Sequence, residues 1–182
     1  MENIVKNLQE KVTALRKEKQ ELEDKMVELL TRPTAQHLIN VPNQFDLHNK
    51  LLELMDSAKE EVLIVTPSFD QDYAHIIINK WNQLQKKLLL ITLDRHLIFN
   101  SENIKGYDFM ISTNTLEIVN NPDVSSTFLI LDRKQVIVLS SNLNKNEITK
   151  KFCVGVVFNN EKVAKKFFKF FNAHLPTFMQ IS

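Results

Sequence analysis

The side chains that most often hold metal ions or act as nucleophiles are few and widely spaced in this sequence. No two of its histidines have the spacing of a zinc-binding helix. The only cysteine is Cys153, so the chain has neither a disulfide framework nor a cysteine-based zinc site. The sequence therefore predicts no metal centre and no cofactor. The five histidines are His37, His48, His75, His96 and His174.

Glycine is equally scarce, since Gly106 and Gly155 are the only two in the chain. A phosphate-binding P-loop, a dinucleotide fingerprint and a nucleophile elbow all need glycine where the backbone approaches phosphate or turns sharply. None of these sites can be built from this sequence, so the corresponding nucleotide-dependent and serine-hydrolase chemistries are excluded.

Seven polar side chains lie next to predicted strands, near where an open α/β sheet commonly binds its ligand. Their hydroxyl, carboxylate, guanidinium and amide groups could together line a polar pocket. For each residue taken singly, ordinary helix capping or loop hydrogen bonding is the slightly favoured explanation. The candidate ligand-binding residues are Ser68, Asp94, Arg95, Ser125, Thr127, Ser140 and Asn142.

The length allows one domain, or one domain with an appendage. The chain has 182 residues, of which 43% are hydrophobic, and its formal net charge is +1. This charge does not indicate nucleic acid as an obligatory partner, although a local basic patch stays open as an alternative. No apolar run approaches the length of about 18 residues that a membrane span needs, and the N-terminus is too polar for a signal peptide. We therefore expect a cytoplasmic protein without a membrane partner.

The first part of the chain is rich in Glu, Lys and Leu and repeats apolar side chains at heptad spacing. This pattern predicts a coiled-coil oligomerisation helix over residues 1–31, with a homodimer as the expected state. Lys19 interrupts an otherwise apolar seam. The predicted oligomerisation residues are Val5, Leu8, Val12, Leu15, Lys19, Leu22, Met26 and Leu29.

The charges beside the seam favour an antiparallel pair. In a parallel pair Lys11 would face Arg16 and Glu18 would face Glu23, so both contacts would repel. An antiparallel pair instead brings Lys11 to Glu18 and Arg16 to Glu23. Each exposed pair contributes only about 0.2–1 kcal/mol. A long helix folded back onto its own domain is the alternative to a coiled coil.

A different pattern follows the helix. Residues 32–43 contain Pro33 and Pro42 and are predicted to be a linker, and residues 44–182 are predicted to form one α/β domain. Two apolar runs flank an amphipathic helix as in a parallel βαβ unit. The fold class is therefore α/β, with a mixed sheet sandwiched between helices and a long coiled-coil helix ahead of it. Further strands are predicted at residues 107–111, 115–119, 127–131, 135–139 and 152–158.

The order of these elements and the run TFLILDRKQVIVLSSNLNKNE resemble the phospholipase D-like domain. In this run a strand, a hairpin turn and a second strand lead to Ser-Ser-Asn-Leu, where that family often has Gly-Ser-x-Asn-Leu. The resemblance covers about residues 44–178. It extends to the catalytically empty effector domains of TrmB-type archaeal regulators, which also carry a coiled-coil helix ahead of the domain.

This resemblance implies a site that has lost its reactive groups. Active members carry His-x-Lys-x4-Asp, in which the His attacks phosphorus and the Lys balances the phosphoryl charge. When the Asp is aligned with Asp132, Ser125 falls at the His position and Thr127 at the Lys position. Asp132 and Asn142 match retained positions, and Glu147 matches an acidic one, so Asp132 joins the candidate pocket residues. We expect no catalytic residue and no enzymatic activity.

A second His-x-Lys pair, formed by His48 and Lys50, does not fit the motif. Met55 stands where the Asp should fall, and the pair lies on the helix before the first strand. We interpret this pair as part of a solvated helix face.

Lysines alternate with phenylalanines on the last predicted helix. At 100° per residue the apolar side chains form one face and most of the lysines the other, which predicts a core helix with a solvated back. Phe168 lies off the apolar face and is therefore the residue to test for contact with a partner. The predicted apolar face consists of Val163, Phe167, Phe170, Phe171 and His174.

Together these features predict a non-catalytic, self-associating regulatory or adaptor protein that senses a ligand or binds a protein partner. By fold analogy it is similar to a TrmB-type effector module without its own winged helix. Two alternatives stay open. One is a phospholipase D-superfamily phosphodiesterase or nuclease with a rearranged site, and the other is a protein that binds nucleic acid non-specifically through its lysines.

Overall fold

The computed structural model describes residues 11–24, 35–84, 87–114, 116 and 118–180. The chain divides into two compact units, Met1–Thr34 and Ala35–Ser182. No helix within the described residues is both long and apolar enough to cross a membrane.

In the first unit, residues 11–24 are helical and are called α1. The predicted seam residues Val12, Leu15 and Leu22 are exposed on this helix. Lys19 Nζ lies 3.5 Å from the Glu23 carboxylate one turn ahead on the same helix. The pairing of two such helices stays a prediction, because a single chain does not test it. The other four predicted seam residues lie outside the described residues: Val5, Leu8, Met26 and Leu29.

The second unit is a seven-stranded mixed sheet with helices on both faces, as predicted. The strand order is β1-β7-β6-β5-β2-β3-β4, in which β2, β3 and β4 are parallel and the other neighbours are antiparallel. The strands are β1 (Gln36–Asn40), β2 (Val62–Val65), β3 (Leu88–Thr92), β4 (Ile118–Asn120), β5 (Thr127–Leu131), β6 (Gln135–Leu139) and β7 (Cys153–Phe158).

Two apolar cores lie on opposite faces of this sheet. The larger core contains buried side chains of α2, α3 and α4, and the smaller core contains those of α6. Residues 62–65 of β2 are buried on both faces, as their continuous apolar run predicts. The helices are α2 (Asp46–Ser57), α3 (Gln71–Gln83), α4 (Ser101–Thr113), α5 (Lys145–Lys150) and α6 (Glu161–Ala173), with short 3-10 turns at Arg95–Leu97 and Thr177–Met179.

The strand predicted at residues 107–111 is wrong, because this segment belongs to α4. The Asn100 side chain accepts a hydrogen bond from Glu102 N and so caps the helix. Asn103, Tyr107 and Met110 are buried at helical spacing. The short apolar run was ambiguous because its period distinguishes helix from strand only over a longer window.

Strand β1 falls within the segment predicted to be a linker. It is an edge strand that pairs only with β7 and exposes most of its residues, so it lacks the apolar run that marks a buried strand. Its last residue, Asn40, is buried. The Asn40 amide donates to Gln44 O and Ile148 O and accepts from Leu47 N, which joins β1 to α2 and α5.

Candidate functional site

Most of the sequence-predicted site residues lie along one edge of the sheet, meaning the side formed by the ends of the strands where β2 finishes and β5 begins. β5 is antiparallel to β2, with Val65 opposite Phe128. The residue after β2, Thr66, therefore lies beside Thr127 at the start of β5. The ends of β3 and β6 and the start of β7 meet at the same edge.

Thr127 occupies a closed, neutral position. Its Oγ1 lies 3.1 Å from Thr66 Oγ1, and both side chains are buried. Because the Thr66 hydroxyl donates to Ser68 O at 2.9 Å, Thr127 is the donor of the pair. Leu143 N also donates to Thr66 Oγ1, at 3.4 Å. Thr127 thus presents a neutral hydroxyl whose hydrogen bond is already made.

A chain of buried amides extends from the predicted pocket residue Ser68. Asn103 Nδ2 donates to Ser68 Oγ at 2.7 Å, and Asn144 Nδ2 donates to Asn103 Oδ1 at 2.6 Å. Asn144 Oδ1 in turn accepts from Glu147 N and caps α5. We call Thr66, Ser68, Asn103, Thr127 and Asn144 the polar cluster. No buried side-chain nitrogen or oxygen of the described residues lacks a hydrogen-bond partner, so the cluster is satisfied internally.

Three members of the polar cluster, Thr66, Asn103 and Asn144, were not predicted as site residues. Asn144 carries a usable signal, because an Asn three residues before Glu147 is a common N-cap pattern. Asn103 lies on the buried face of α4, in line with Tyr107 and Met110. The sequence did not reveal this, because α4 was not predicted as a helix. Thr66 directly follows β2. No feature of the sequence marks it as a site residue, because its role depends on its contact with Thr127 of β5.

Beside the polar cluster, Asp70 begins α3. Its carboxylate accepts hydrogen bonds from Tyr73 N at 2.9 Å and Lys145 N at 2.6 Å. Burial raises the pKa of Asp70, and these two backbone donors act in the opposite direction. Asp70 thereby joins the start of α3 to the start of α5. Its hydrogen bonds are structural and leave it poorly placed as a free base.

His48 is buried, so the prediction of a solvated helix face is wrong for this residue. Its Nδ1 lies 2.8 Å from the Tyr73 hydroxyl. Burial lowers the pKa of His48, and the nearby Lys145 lowers it further. Burial also raises the pKa of Tyr73, so both groups are neutral near pH 7. Lys50 points elsewhere and pairs with Glu53 at 2.7 Å. The two residues therefore do not act together as a His-x-Lys site.

At the outer rim of this edge, Ser125 is exposed and hydrogen-bonds none of the described residues. No described imidazole or carboxylate contacts its hydroxyl to act as a base. Ser140 Oγ accepts from Val154 N at 2.9 Å, which ties the end of β6 to β7. Asn142 Nδ2 donates to Glu147 at 3.2 Å. Of these rim residues, Ser125 is the one whose side chain makes no hydrogen bond to another described residue.

Asp94 and Arg95 follow β3 but are used locally. Asp94 accepts a hydrogen bond from His96 N, and Arg95 makes two hydrogen bonds to Asp108 of α4, at 2.5 and 2.8 Å. Both side chains are at least partly exposed. The structure therefore places these two predicted pocket residues in exposed surface pairs beside the 3-10 turn and α4, and does not join them to the polar cluster.

Asp132 lies at the opposite end of β5 from Thr127, in the turn to β6. Its carboxylate accepts hydrogen bonds from the backbone N–H groups of Lys59, Glu60 and Glu61. Partial burial acts to raise the pKa of Asp132, but these three donors outweigh it and hold the pKa below its ordinary value. The structure thus separates Asp132 from the other candidate pocket residues and gives it the role of fixing the segment before β2.

A cleft lined by Asp70 and Glu102, next to the polar cluster, has a volume of about 200 Å³. Carboxylates of Asp70, Asp72 and Glu102 line it, so it is poorly suited to a phosphate or nucleic-acid backbone. Within the described residues, no group of three or more His, Cys, Asp or Glu side chains could hold a metal ion. The other lining residues are Gln71, Lys105 and Asn146.

Comparison with known proteins identifies the fold. Neither a scan against protein-family models nor a search of curated proteins finds a match. Among solved structures, Nuc, a phospholipase D family member from Salmonella typhimurium, is 19% identical with a TM-score of 0.63, and the match covers 77% of this chain and 93% of Nuc. NucT from Helicobacter pylori is also 19% identical, with a TM-score of 0.61 and coverage of 77% and 95%.

A third structure, TrmBL2, described as an archaeal chromatin protein with a novel mode of DNA binding, is 17% identical with a TM-score of 0.53. This match covers 94% of the present chain and 66% of TrmBL2. At these identities the likenesses establish the fold alone.

Proposed function

We propose that this chain, whose α/β unit has the phospholipase D-like fold and resembles TrmB-type proteins, is a non-catalytic, self-associating regulatory or adaptor protein. The observation that carries the proposal is the closed polar cluster at the position of the family's reaction site. Thr127 replaces the charge-balancing Lys, and its hydroxyl is already engaged by Thr66. Ser125 replaces the nucleophilic His and has no neighbouring base among the described residues.

The electrostatics of this region support the same proposal. A phosphodiester carries negative charge that gathers further in the transition state, so the reaction needs positive groups aimed at the phosphoryl oxygens. The polar cluster consists of neutral hydroxyl and amide side chains, and the adjacent cleft is lined with carboxylates. Because the hydrogen bonds of the polar cluster are already made within the protein, a structural or partner-binding role is favoured over the binding of a small ligand at the cluster.

The proposal is tested by a metal-independent phosphodiesterase assay on the purified full chain, with bis(p-nitrophenyl) phosphate and with single-stranded and double-stranded DNA. We expect hydrolysis at the rate of buffer alone. Ser125→Ala and His48→Gln proteins, purified in parallel, serve as controls for contaminating nucleases. Hydrolysis by the native chain that either substitution abolishes would contradict the proposal and favour an enzyme with a rearranged site.

Non-specific nucleic-acid binding is a second candidate, because α6 exposes lysines that no described carboxylate neutralises, and because TrmBL2 is described as binding DNA. If several of these lysines contact phosphates, duplex DNA should shift in electrophoresis at about 50 mM salt and lose affinity steeply as salt is raised. The absence of a shift at this salt concentration would exclude this candidate.

A further inference from the structure

The sheet face that carries α6 is only partly covered. Helix α6 packs on β5 and β6, and its Phe167 and Phe170 rings contact Phe128 of β5. Toward the side of the sheet formed by β7 and β1, no helix of the second unit packs on the same face within the described residues. Part of an apolar sheet face is therefore open to solvent beside α6.

The strand register defines the residues of this open face. Val154 of β7 is opposite Ile39 of β1, and Val156 is opposite His37. Ile39 is 68% exposed and Val154 is 44% exposed, although side chains of this type are usually buried in a sheet. Phe170, which is 49% exposed, lies on the same side of α6 as Phe167, whose ring is 6.5 Å from that of Phe158 of β7. We call this surface, formed by Ile39, Val154, Val156 and Phe170, the β1–β7 groove.

The apolar surface continues at the site end of the two strands. Val41 and Phe152 come directly after β1 and directly before β7, and they are 40% and 78% exposed. Contiguous exposure of this kind on both strands is unlike isolated surface apolar residues, which need no explanation.

The border of the groove is basic. Helix α6 carries one acidic residue, Glu161, in its first turn and four lysines that form no ion pair with any described residue. Lys166 lies one turn before Phe170, so the two side chains share a side of the helix. Lys150 and Lys151 directly precede Phe152 at the other end of the groove, and only Lys151 has an acidic neighbour, Glu147 at 3.9 Å. The four lysines of α6 are Lys162, Lys165, Lys166 and Lys169.

We propose that the β1–β7 groove binds an acidic amphipathic segment of a partner protein, whose apolar side covers Ile39, Val154 and Phe170 while its carboxylates meet the flanking lysines. A second copy of this chain fits the surface less well, because a two-fold contact places the same patch on itself and would bring like charges together. The groove is separate from the polar cluster, so this inference goes beyond the proposed function and does not depend on the absence of catalysis.

The test is a display selection on the immobilised full chain. The library contains 16-residue segments with apolar residues at helical spacing and random polar residues elsewhere. We expect the recovered segments to be enriched in Asp and Glu over Lys and Arg. Recovery of no binder, or of binders without an acidic bias, would overturn the proposal.

Substitutions then locate the binding surface, with fluorescence anisotropy of the tightest recovered segment as the measurement. Ile39→Asp and Phe170→Asp should each weaken binding at least about tenfold, because a buried, unpaired carboxylate is costly. Lys166→Glu should weaken it by about threefold to tenfold, and this loss should shrink as salt is raised. Circular dichroism of each variant establishes that it is folded.

Matched controls lie away from the groove. Phe99→Asp places the same charge at a 92% exposed residue beyond β3, and Lys87→Glu reverses an exposed lysine ahead of β3. Neither control should change the affinity. If folded Ile39→Asp and Phe170→Asp proteins bind as the native chain does, the proposal is wrong. If Ile39→Asp instead lowers the native molecular mass in light scattering, a second copy is the occupant and the proposal is also wrong.

Discussion

Thr66 and Thr127 of the polar cluster are neutral side chains, and the groups around Thr127 disfavour a charged side chain in its place. An ammonium group at residue 127 would be almost fully buried, since Thr127 is only 2% exposed, and a buried charge without a partner is strongly disfavoured. The groups around it are a hydroxyl, Thr66, and the neutral chain of Ser68 and Asn103. The surroundings are therefore matched to a neutral side chain at residue 127, and a lysine introduced there would be destabilising.

Asp132 gives a prediction at the same scale. Its φ of 50° lies in the left-handed region, which Asn tolerates better than Ala. Asp132→Asn should lower the free energy of unfolding by about 1–3 kcal/mol at pH 7, because the charged acceptor of three N–H groups is lost. Asp132→Ala should cost more, since Ala also disfavours this φ. Urea unfolding at pH 7 provides the measurement.

The pH dependence of the Asp132→Asn effect is a further part of this prediction. A carboxyl whose folded pKa is depressed contributes stability above its unfolded pKa, near 3.8, and loses that contribution as the pH falls through the lower folded pKa. The difference between native and Asp132→Asn proteins should therefore be constant from pH 7 to about pH 5 and shrink below about pH 4. A difference that stays constant into the acid range would show that the charge is unimportant.

His48 predicts a pH dependence nearer neutrality. Its pKa is lowered in the folded state, by burial first and by Lys145 second, while Asp70 and Asp72 oppose the shift. The unfolded chain therefore binds more protons at this residue as the pH falls through 6.5, and stability must fall with it. Calorimetry should show a declining unfolding temperature from pH 7.5 to about pH 5.5.

Substitution assigns that slope to the buried histidine. His48→Gln should flatten the decline, whereas His37→Gln, which changes an exposed histidine of β1, should leave it unchanged. An equal slope in the His48→Gln protein would mean that another group is responsible.

Between residues and the whole sheet, the crossing of α3 and α4 depends on one glycine. A Cβ at Gly106 would collide with the backbone of Phe69 and Asp70, which cannot move aside cheaply. A Cβ at Gly155 would meet the ends of the Leu47 and Leu139 side chains, which can turn away. Gly106 therefore sets the close approach of α4 to the segment that leads into α3.

Gly106→Ala is thus expected to destabilise the domain by about 1–3 kcal/mol through overpacking, although Ala is otherwise preferred in a helix by about 1 kcal/mol. Gly155→Ala should cost less. Guanidinium unfolding of both variants gives the comparison, and Lys105→Ala, on the exposed side of α4, controls for helix propensity. A Gly106→Ala protein as stable as the native chain would show that the crossing is loose.

Another element departs from the amphipathic pattern expected of it. On α6, Phe168 lies off the predicted apolar face, yet it packs against the smaller core and lies under the Arg133 guanidinium, 4.1 Å from the ring centre. Phe170, assigned to the apolar face, is instead half exposed. The register of the face is shifted because Ala164, Phe171 and Leu175 are the buried centre, and the small Ala164 gave little hydrophobic signal.

At the scale of the whole molecule, the prediction is that two N-terminal helices pair in an antiparallel arrangement. Cysteine cross-linking tests this arrangement, because the two orientations bring different residues together. In the antiparallel arrangement Val12 faces Leu22 of the partner, whereas in a parallel arrangement Val12 faces itself. Val12→Cys alone should therefore form no disulfide on oxidation, while a mixture of Val12→Cys and Leu22→Cys chains should cross-link. Non-reducing electrophoresis reads out both experiments, and buried Cys153 stays unreacted in the native control.

Disulfide formation by Val12→Cys alone would indicate a parallel pair. Deletion of residues 1–30 supplies the independent measurement, since it should lower the mass found by light scattering. An unchanged mass would show that the α/β domain associates by itself.

The sequence alone determined the features that depend on neighbours along the chain. Apolar runs marked β2, β3, β5, β6 and β7, and helical periodicity marked α2, α3 and α6. These signals are local because secondary structure has fixed periods and a strand carries its side chains in order.

Only the tertiary structure decided which polar groups meet. Thr66 and Thr127 are 61 residues apart in the chain, Asn103 and Asn144 are 41 apart, and Asp132 reaches back 73 residues to Lys59. No local pattern encodes these pairs, because each depends on strand order and on where a helix crosses the sheet. The same is true of the open groove beside β1, since the exposure of an apolar strand residue depends on how far a distant helix extends over it.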